Sequence, residues 1–386
     1  MLSLLLTIIY ISFISLGLPD SLLGSAWPTM YREMQVPISY AGIISMIIAG
    51  GTIISSLNSH RLIKKLGTGK VTAVSVGMTA AALWGFSSSH SFIALCVWAI
   101  PYGLGAGSVD AALNNFVALH YKAKHMSWLH CFWGIGATLG PYIMGLYLTG
   151  GQKWTMGYRA ISVIQIALTA VLIFSLPLWK KNDTAAEDKA LESKALSLKS
   201  LLSIHGAKQV LAAFFCYCAL ESTTGLWGSS YLVIAKGITP ETAARWIALF
   251  YFGITFGRFL NGFVAMKLSD KNMIRIGQGI AALGIMVLLL PFGNAALCAG
   301  FILIGLGCAP IYPSMLHATP ANFSKELSQA IMGVQMACAY VGSTFMPPLF
   351  GLIAEHVNIK LYPFYLSIFV IIMILMVEAV NHIKNK

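Results

Sequence analysis

Three carboxylates, Asp20, Asp110 and Glu221, lie well inside long apolar runs, while Glu378 is near enough to the chain end to reach water. An ionised acid at bilayer depth is costly, so such residues face a cavity, a partner or an ion path. A carboxyl in that setting can take up and release a proton as its surroundings change, which makes all three candidates for coupling proton movement to another event. Gly103, Gly107, Asp110 and Asn114 recur at intervals of four, three and four, so acid and amide share one helical face with two glycines. The glycines are read as packing positions. His130, Gly134, Ala137 and Pro141 share a second face, and His130 is the histidine best placed to bind or to handle a proton. Trp27, Trp133 and Trp227 lie within two turns of an acid or of His130, and Asn114, Asn261 and Gln335 place amides in apolar surroundings. With Asp20, these residues offer what a polyhydroxylated ring needs, namely flat faces to stack on and partners for its hydroxyls.

The elements that position these side chains are membrane helices. Of 386 residues 57% are hydrophobic and 10% charged, with mean hydropathy +0.76, against roughly 25% charged in ordinary soluble domains. Apolar runs predict twelve spans, at 2–31, 39–59, 68–88, 91–119, 126–149, 157–179, 207–235, 242–266, 271–291, 295–317, 327–354 and 361–382. They lack the dyad alternation of barrel strands, so helices are the structure that satisfies the backbone in lipid. The first run begins at Leu2 without a basic leader or a small-residue cleavage site and is read as an uncleaved helix. With both termini placed in the cytoplasm, 19 Lys and Arg fall on the inner side and 6 on the outer. That is the positive-inside pattern, and it accounts for the net charge of +12 without a nucleic-acid partner.

Six spans precede the charged stretch that holds Asp183, Glu187, Asp188, Lys189, Glu192 and Lys194, and six follow it. The expected organisation is therefore a helical bundle over 1–180, a cytoplasmic linker over 181–206 and a second bundle over 207–386. The halves also resemble each other. GATLGPYIMGL from Gly136 pairs with GSTFMPPLFGL from Gly342, LLGS from Leu22 with LWGS from Leu226, and GLG from Gly103 with GLG from Gly305. Their offsets of 206, 204 and 202 residues indicate a duplication. The fold class is all-α and polytopic, with twelve transmembrane helices in two pseudo-symmetric six-helix bundles and a site near the midplane.

At these residues the chain resembles the major facilitator superfamily. Within it the chain is most similar to the fucose permease-like sugar:proton symporters and the related sodium-dependent glucose transporters. Asp20 stands in LPDSLLGSAWP, where that family has an acid in an NDxLLP setting. The fourth span reads Gly105-x-Gly107-x-x-Asp110-x-x-x-Asn114-x-Phe116-Val117 against a family GxGxxExxxNxFV, and the seventh reads Tyr217-x-x-x-Glu221-x-x-x-Gly225-x-Trp227. The resemblance implies that Asp110 carries the proton with Asp20 close to substrate. Two departures stand out: Asp110 is one methylene shorter than the family's Glu, and the basic turn Lys64-Lys65-Leu66-Gly67 lacks the usual nearby Asp.

Enzyme motifs are missing: the sequence has no GxxxxGK(S/T) loop, HExxH, CxxC pair or GxSxG elbow. Its seven cysteines fall in apolar spans and read as small buried residues, with no metal or disulfide implied. No cofactor is expected beyond a coupling ion. Na+ prefers a cage of several oxygens, and Asp20 and Asp110 have few hydroxyl neighbours beyond Ser21 and Ser108, which favours H+ and leaves Na+ open. The leading expectation is a monomeric secondary active transporter of a small polar solute, most simply a monosaccharide, in a bacterial inner membrane. Export of amphipathic compounds and a non-transporting receptor are the alternatives, the former favoured if the 17 Met and 20 Phe line the cavity.

Overall fold

The computed structural model describes residues 2–121, 123–149, 151, 153–179, 202–264, 267–323 and 325–384. Its helices are α1 (Leu2–Asp20), α2 (Leu22–Glu33), α3 (Tyr40–Leu66), α4 (Thr68–Ser88), α5 (Phe92–His120), α6 (Ala123–Thr149), α7 (Trp154–Trp179), α8 (Ala207–Lys236), α9 (Pro240–Val264), α10 (Asp270–Leu289), α11 (Asn294–Asn322), α12 (Lys325–Ile353) and α13 (Tyr362–Lys384). Among the described residues there is no strand. The first crossing is made by α1 and α2 together, as one apolar stretch over Leu4–Glu33. The last apolar stretch, Ile331–Ile383, has 53 residues. At 1.5 Å per residue that is about 80 Å, far more than the roughly 30 Å hydrocarbon core. A π turn at Ala354–Asn358 and a 3-10 turn at Ile359–Leu361 divide it into two crossings. The chain is thus a multi-pass, all-helical membrane protein. Most of the linker expected at 181–206 lies outside the described residues.

By internal contacts the chain divides into two compact units, Met1–Ala190 with Leu232–Ala248, and Leu191–Tyr231 with Leu249–Lys386. The stretch Leu232–Ala248 therefore groups with the first unit, although the sequence boundary assigns it to the second bundle. In the first unit α1 packs along α6, α3 along α5, and α4 between α5 and α7. Phe13, Val109, Leu113, Phe116, Leu129 and Leu172 fill its core. In the second unit α10 packs along α11 and against α13.

Glycines set these crossings, and they recur between units. A methyl group on Gly103 would overlap the Ile48 carbonyl on α3, and one on Gly305 would overlap the Phe250 carbonyl on α9. Gly105 meets Ser75 and Thr79 on α4 in the way that Gly307 meets Gly277 and Ala281 on α10. Each pair is related by the same offset of 202 residues. Gly136 presses on Ile14 and Leu18 of α1, and Gly342 on Phe215 and Ala219 of α8. The offset along α1 and α8 is then 201. Small residues let backbones approach where lipid supplies no hydrophobic drive, so the duplication seen in the sequence strings is a duplication of packing contacts.

The break between α1 and α2 has a local cause. Pro19 has no N–H to give the Ser15 carbonyl one turn back, and that carbonyl accepts instead from Nε2 of Gln165 on α7. Ser21, at φ −101° and ψ −1°, separates the two helices. Its hydroxyl donates to the Ala137 carbonyl of α6 at 2.9 Å, which ties the break to the neighbouring helix. Asp20 sits at this break, about midway along the first crossing.

Candidate functional site

In the first unit the broken helix presents Asp20 with its side chain exposed. The indole N–H of Trp133 on α6 donates to Asp20 Oδ2 at 2.8 Å. Gly17 and Gly136 hold α1 and α6 close enough for that reach. On α5, Asp110 is half-buried, and the Asn114 amide donates to Asp110 Oδ1 at 2.9 Å and to the Asp110 carbonyl at 3.0 Å. The bond uses the i, i+4 spacing of the two side chains on one face. The Asn114 Oδ1 atom is buried and has no hydrogen-bond partner, so it can accept from a ligand hydroxyl. Asp20 and Asp110 are near enough for their charges to interact. Among the described residues neither carboxylate has a basic side chain within salt-bridge distance. His130, half-buried on the same face of α6 as Trp133, sets its ring edge-on to Phe13 at 5.9 Å.

In the second unit the corresponding positions carry different chemistry. The offset of 201 takes Asp20 to Glu221 on α8, and that of 202 takes Asp110 to Tyr312 on α11. The Tyr217 hydroxyl donates to Glu221 Oε2 one turn away. Tyr217 and Tyr312 lie with ring centroids 5.9 Å apart, and the Tyr312 hydroxyl donates to Met336 Sδ at 3.4 Å. Arg258 of α9 is hydrogen-bonded to Tyr217 and has Glu221 and Tyr312 within reach of its charge. One turn along, Asn261 is half-buried with its amide nitrogen unpartnered. Gly103 and Gly107 face α3 at Ile48 and Thr52, where they serve packing.

The profile of the Major Facilitator Superfamily matches residues 9–244 and 210–380. The chain belongs to the major facilitator superfamily. Its relatives include Bypass of stop codon protein 6 of Saccharomyces cerevisiae, 24% identical across 92% of this chain and 77% of that one. The Glucose/mannose transporter GlcP of Bacillus subtilis is 21% identical, covering 89% and 86% of the two chains. A Glucose/galactose transporter of Brucella abortus is 23% identical over 86% and 84%. Among solved structures, that of a mutant of the nucleoside transporter NupG superimposes with a TM-score of 0.77 at 14% identity, over 97% of this chain and 98% of that one. The protein is a transporter of a small molecule and not an enzyme.

The superfamily fold brings some of the expected side chains together and leaves others in the packing. Asp20, Trp133, Asp110 and Asn114 form one group. Trp27 is fully buried and its N–H is used on the Ile38 carbonyl at 2.7 Å. Trp227 is likewise fully buried, donating to the Pro347 carbonyl at 2.7 Å and set edge-to-face with Phe350. Gln335 is buried, with Oε1 accepting from Thr319 at 2.9 Å and its nitrogen unpartnered. Arg258 is the charged residue that reading the sequence passed over. It is one of the 19 cations that the expected topology assigns to the inner side, yet it lies well inside α9 and not in a loop. Its place deep in the apolar run 242–266, well beyond Arg245 near the start of that run, was the available signal.

Proposed function

We propose that this transporter moves a monosaccharide or a closely similar polyol by proton-coupled alternating access. The observation that carries the reading is the first-unit group. Two carboxylates with no cation among the described residues within salt-bridge distance stand beside an indole N–H and an amide oxygen that lacks a partner. Asp110 is the proton carrier and Asp20 lies next to substrate. Substrate hydroxyls supply the donor that Asn114 Oδ1 lacks, and the Trp133 ring offers a flat face for the sugar's C–H surface. The names of the Bacillus and Brucella relatives support sugar over other small polar solutes.

The loading of Asp110 biases the two access states only through its different affinity for a proton in each. Both termini lie in the cytoplasm, a reading supported by the Lys and Arg asymmetry, and the protein works as a monomer in a cytoplasmic membrane. Counterflow in proteoliposomes against a panel of labelled monosaccharides is the test. At least one sugar exchanges, and its uptake rises when a pH gradient, acid outside, is imposed without sodium. Exchange of none of them ends the sugar assignment. Uptake that stays at background under the pH gradient and appears with a sodium gradient reverses the choice of ion.

A further inference from the structure

Consecutive helices α3 and α4 are joined at Gly67, whose φ of 81° suits a glycine. Beyond this joint they touch one another little, because each packs along α5 instead. The consequence is a groove with α5 as its floor and a volume of about 300 Å³. Ile54, Leu62, Leu66, Val74, Met78 and Leu104 line it, and the first four are exposed. Its wall is mostly apolar, and among its polar groups Ser55 and Ser108 bond each other at 2.8 Å and the Asn58 amide donates to the Ile54 carbonyl at 2.8 Å. An occupant therefore meets mainly hydrocarbon.

The groove's length and its mouth identify that occupant. From Ile54 to Leu66 the α3 wall rises about 18 Å, close to the roughly 15 Å of one leaflet of hydrocarbon. At the joint end stand Arg61, Lys64, Lys65 and Lys70, all exposed. No acid occurs between Met34 and Val109 to offset them. Each basic residue near the surface attracts anionic lipid. We propose that this groove holds one acyl chain of an anionic phospholipid whose phosphate rests on the four basic residues of the α3–α4 joint. The site lies within the first unit and is independent of which solute is carried.

The test uses the purified full chain in detergent, offered equal amounts of phosphatidylglycerol and phosphatidylcholine, with retained lipid counted by native mass spectrometry. The wild type keeps phosphatidylglycerol over phosphatidylcholine by about tenfold or more, since each lysine contributes about a fivefold factor. Lys64→Gln/Lys65→Gln/Lys70→Gln lowers that ratio several-fold, toward the residual preference that Arg61 alone supports, while Lys267→Gln/Lys271→Gln on the α9–α10 side leaves it unchanged. Val74→Trp fills the groove from its rim and lowers retention of both lipids. All the lysines are on the surface, and circular dichroism confirms that each variant is folded. Equal retention of the two lipids by the wild type overturns the proposal, as does a triple variant with wild-type preference. A Val74→Trp protein that keeps its lipid, or one that instead loses a dimer seen in the wild type, also overturns it.

Discussion

In the first unit Asp20 and Asp110 stand near one another, with a tryptophan N–H and an asparagine amide beside them. In the second, the position answering to Asp20 holds Glu221 with Arg258 close by, and Tyr312 answers to Asp110. The packing glycines are shared between the units almost residue for residue, so duplication has kept the helix crossings and changed the charges. On the proposed reading proton handling belongs to the first unit, where two carboxylates stand near one another, while Glu221 stands in a different setting, beside Tyr217 and Arg258.

The comparison breaks most visibly at Asp110. Asp110→Asn abolishes accumulation of substrate against its gradient and makes residual uptake independent of pH, while counterflow persists because exchange moves no net proton. Normal gradient-driven accumulation by that variant at neutral pH removes Asp110 from the mechanism. Next in size is the second unit's pair. Arg258→Gln removes the positive charge near Glu221 and weakens the hydrogen bond to Tyr217, and lowers stability by about 1–2 kcal/mol. Thermal unfolding of the purified protein reads this. Glu221→Gln/Arg258→Gln recovers most of the loss and still accumulates substrate uphill, and a double variant that only exchanges substrate returns Glu221 to the coupling residues.

A comparable effect tests the shared packing. Gly136→Ala and Gly342→Ala each push a methyl group into a helix backbone across the crossing, at a cost of about 1–3 kcal/mol. The first is the larger, since Gly136 approaches α1 more closely than Gly342 approaches α8. Equal and negligible losses in a heat-and-filter assay contradict the packing equivalence. The smallest change is Trp133→Phe, which keeps a ring but removes the N–H to Asp20. It raises KM about fivefold, or about 1 kcal/mol, without changing the ratio of uphill uptake to counterflow. A change in that ratio places Trp133 in proton handling instead.

Hydropathy alone located every crossing, because a span is a property of some twenty consecutive residues and tolerates local irregularity. The acids Asp20 and Asp110 were legible for a related reason: their cost in lipid does not depend on the details of their neighbours. Trp27 and Trp227 were not, since a tryptophan suits a cavity wall and a packed interior equally well, and only the positions of the Ile38 and Pro347 carbonyls decide between them. Arg258 escaped for a different reason. Counting cations by side of the membrane treats each as a topology signal, and one that lies within α9 loses its identity in the sum. The break at Asp20 was written in Pro19, but which group would take up the freed Ser15 carbonyl depends on α7, 150 residues away along the chain.

That carbonyl ties two distant positions together in any lineage that drifts from this sequence. While proline occupies position 19, Gln165 holds the Ser15 oxygen from another helix, and replacing the glutamine by leucine strands a buried acceptor. Restoring an amide at position 19 first gives the oxygen a near partner while its second lone pair can still hold the glutamine. Only the order that loses the glutamine first passes through a stranded acceptor. The two sites should consequently behave as an epistatic pair, with glutamine or another donor at 165 whenever 19 is proline, and freedom at 165 opening only after the proline is lost.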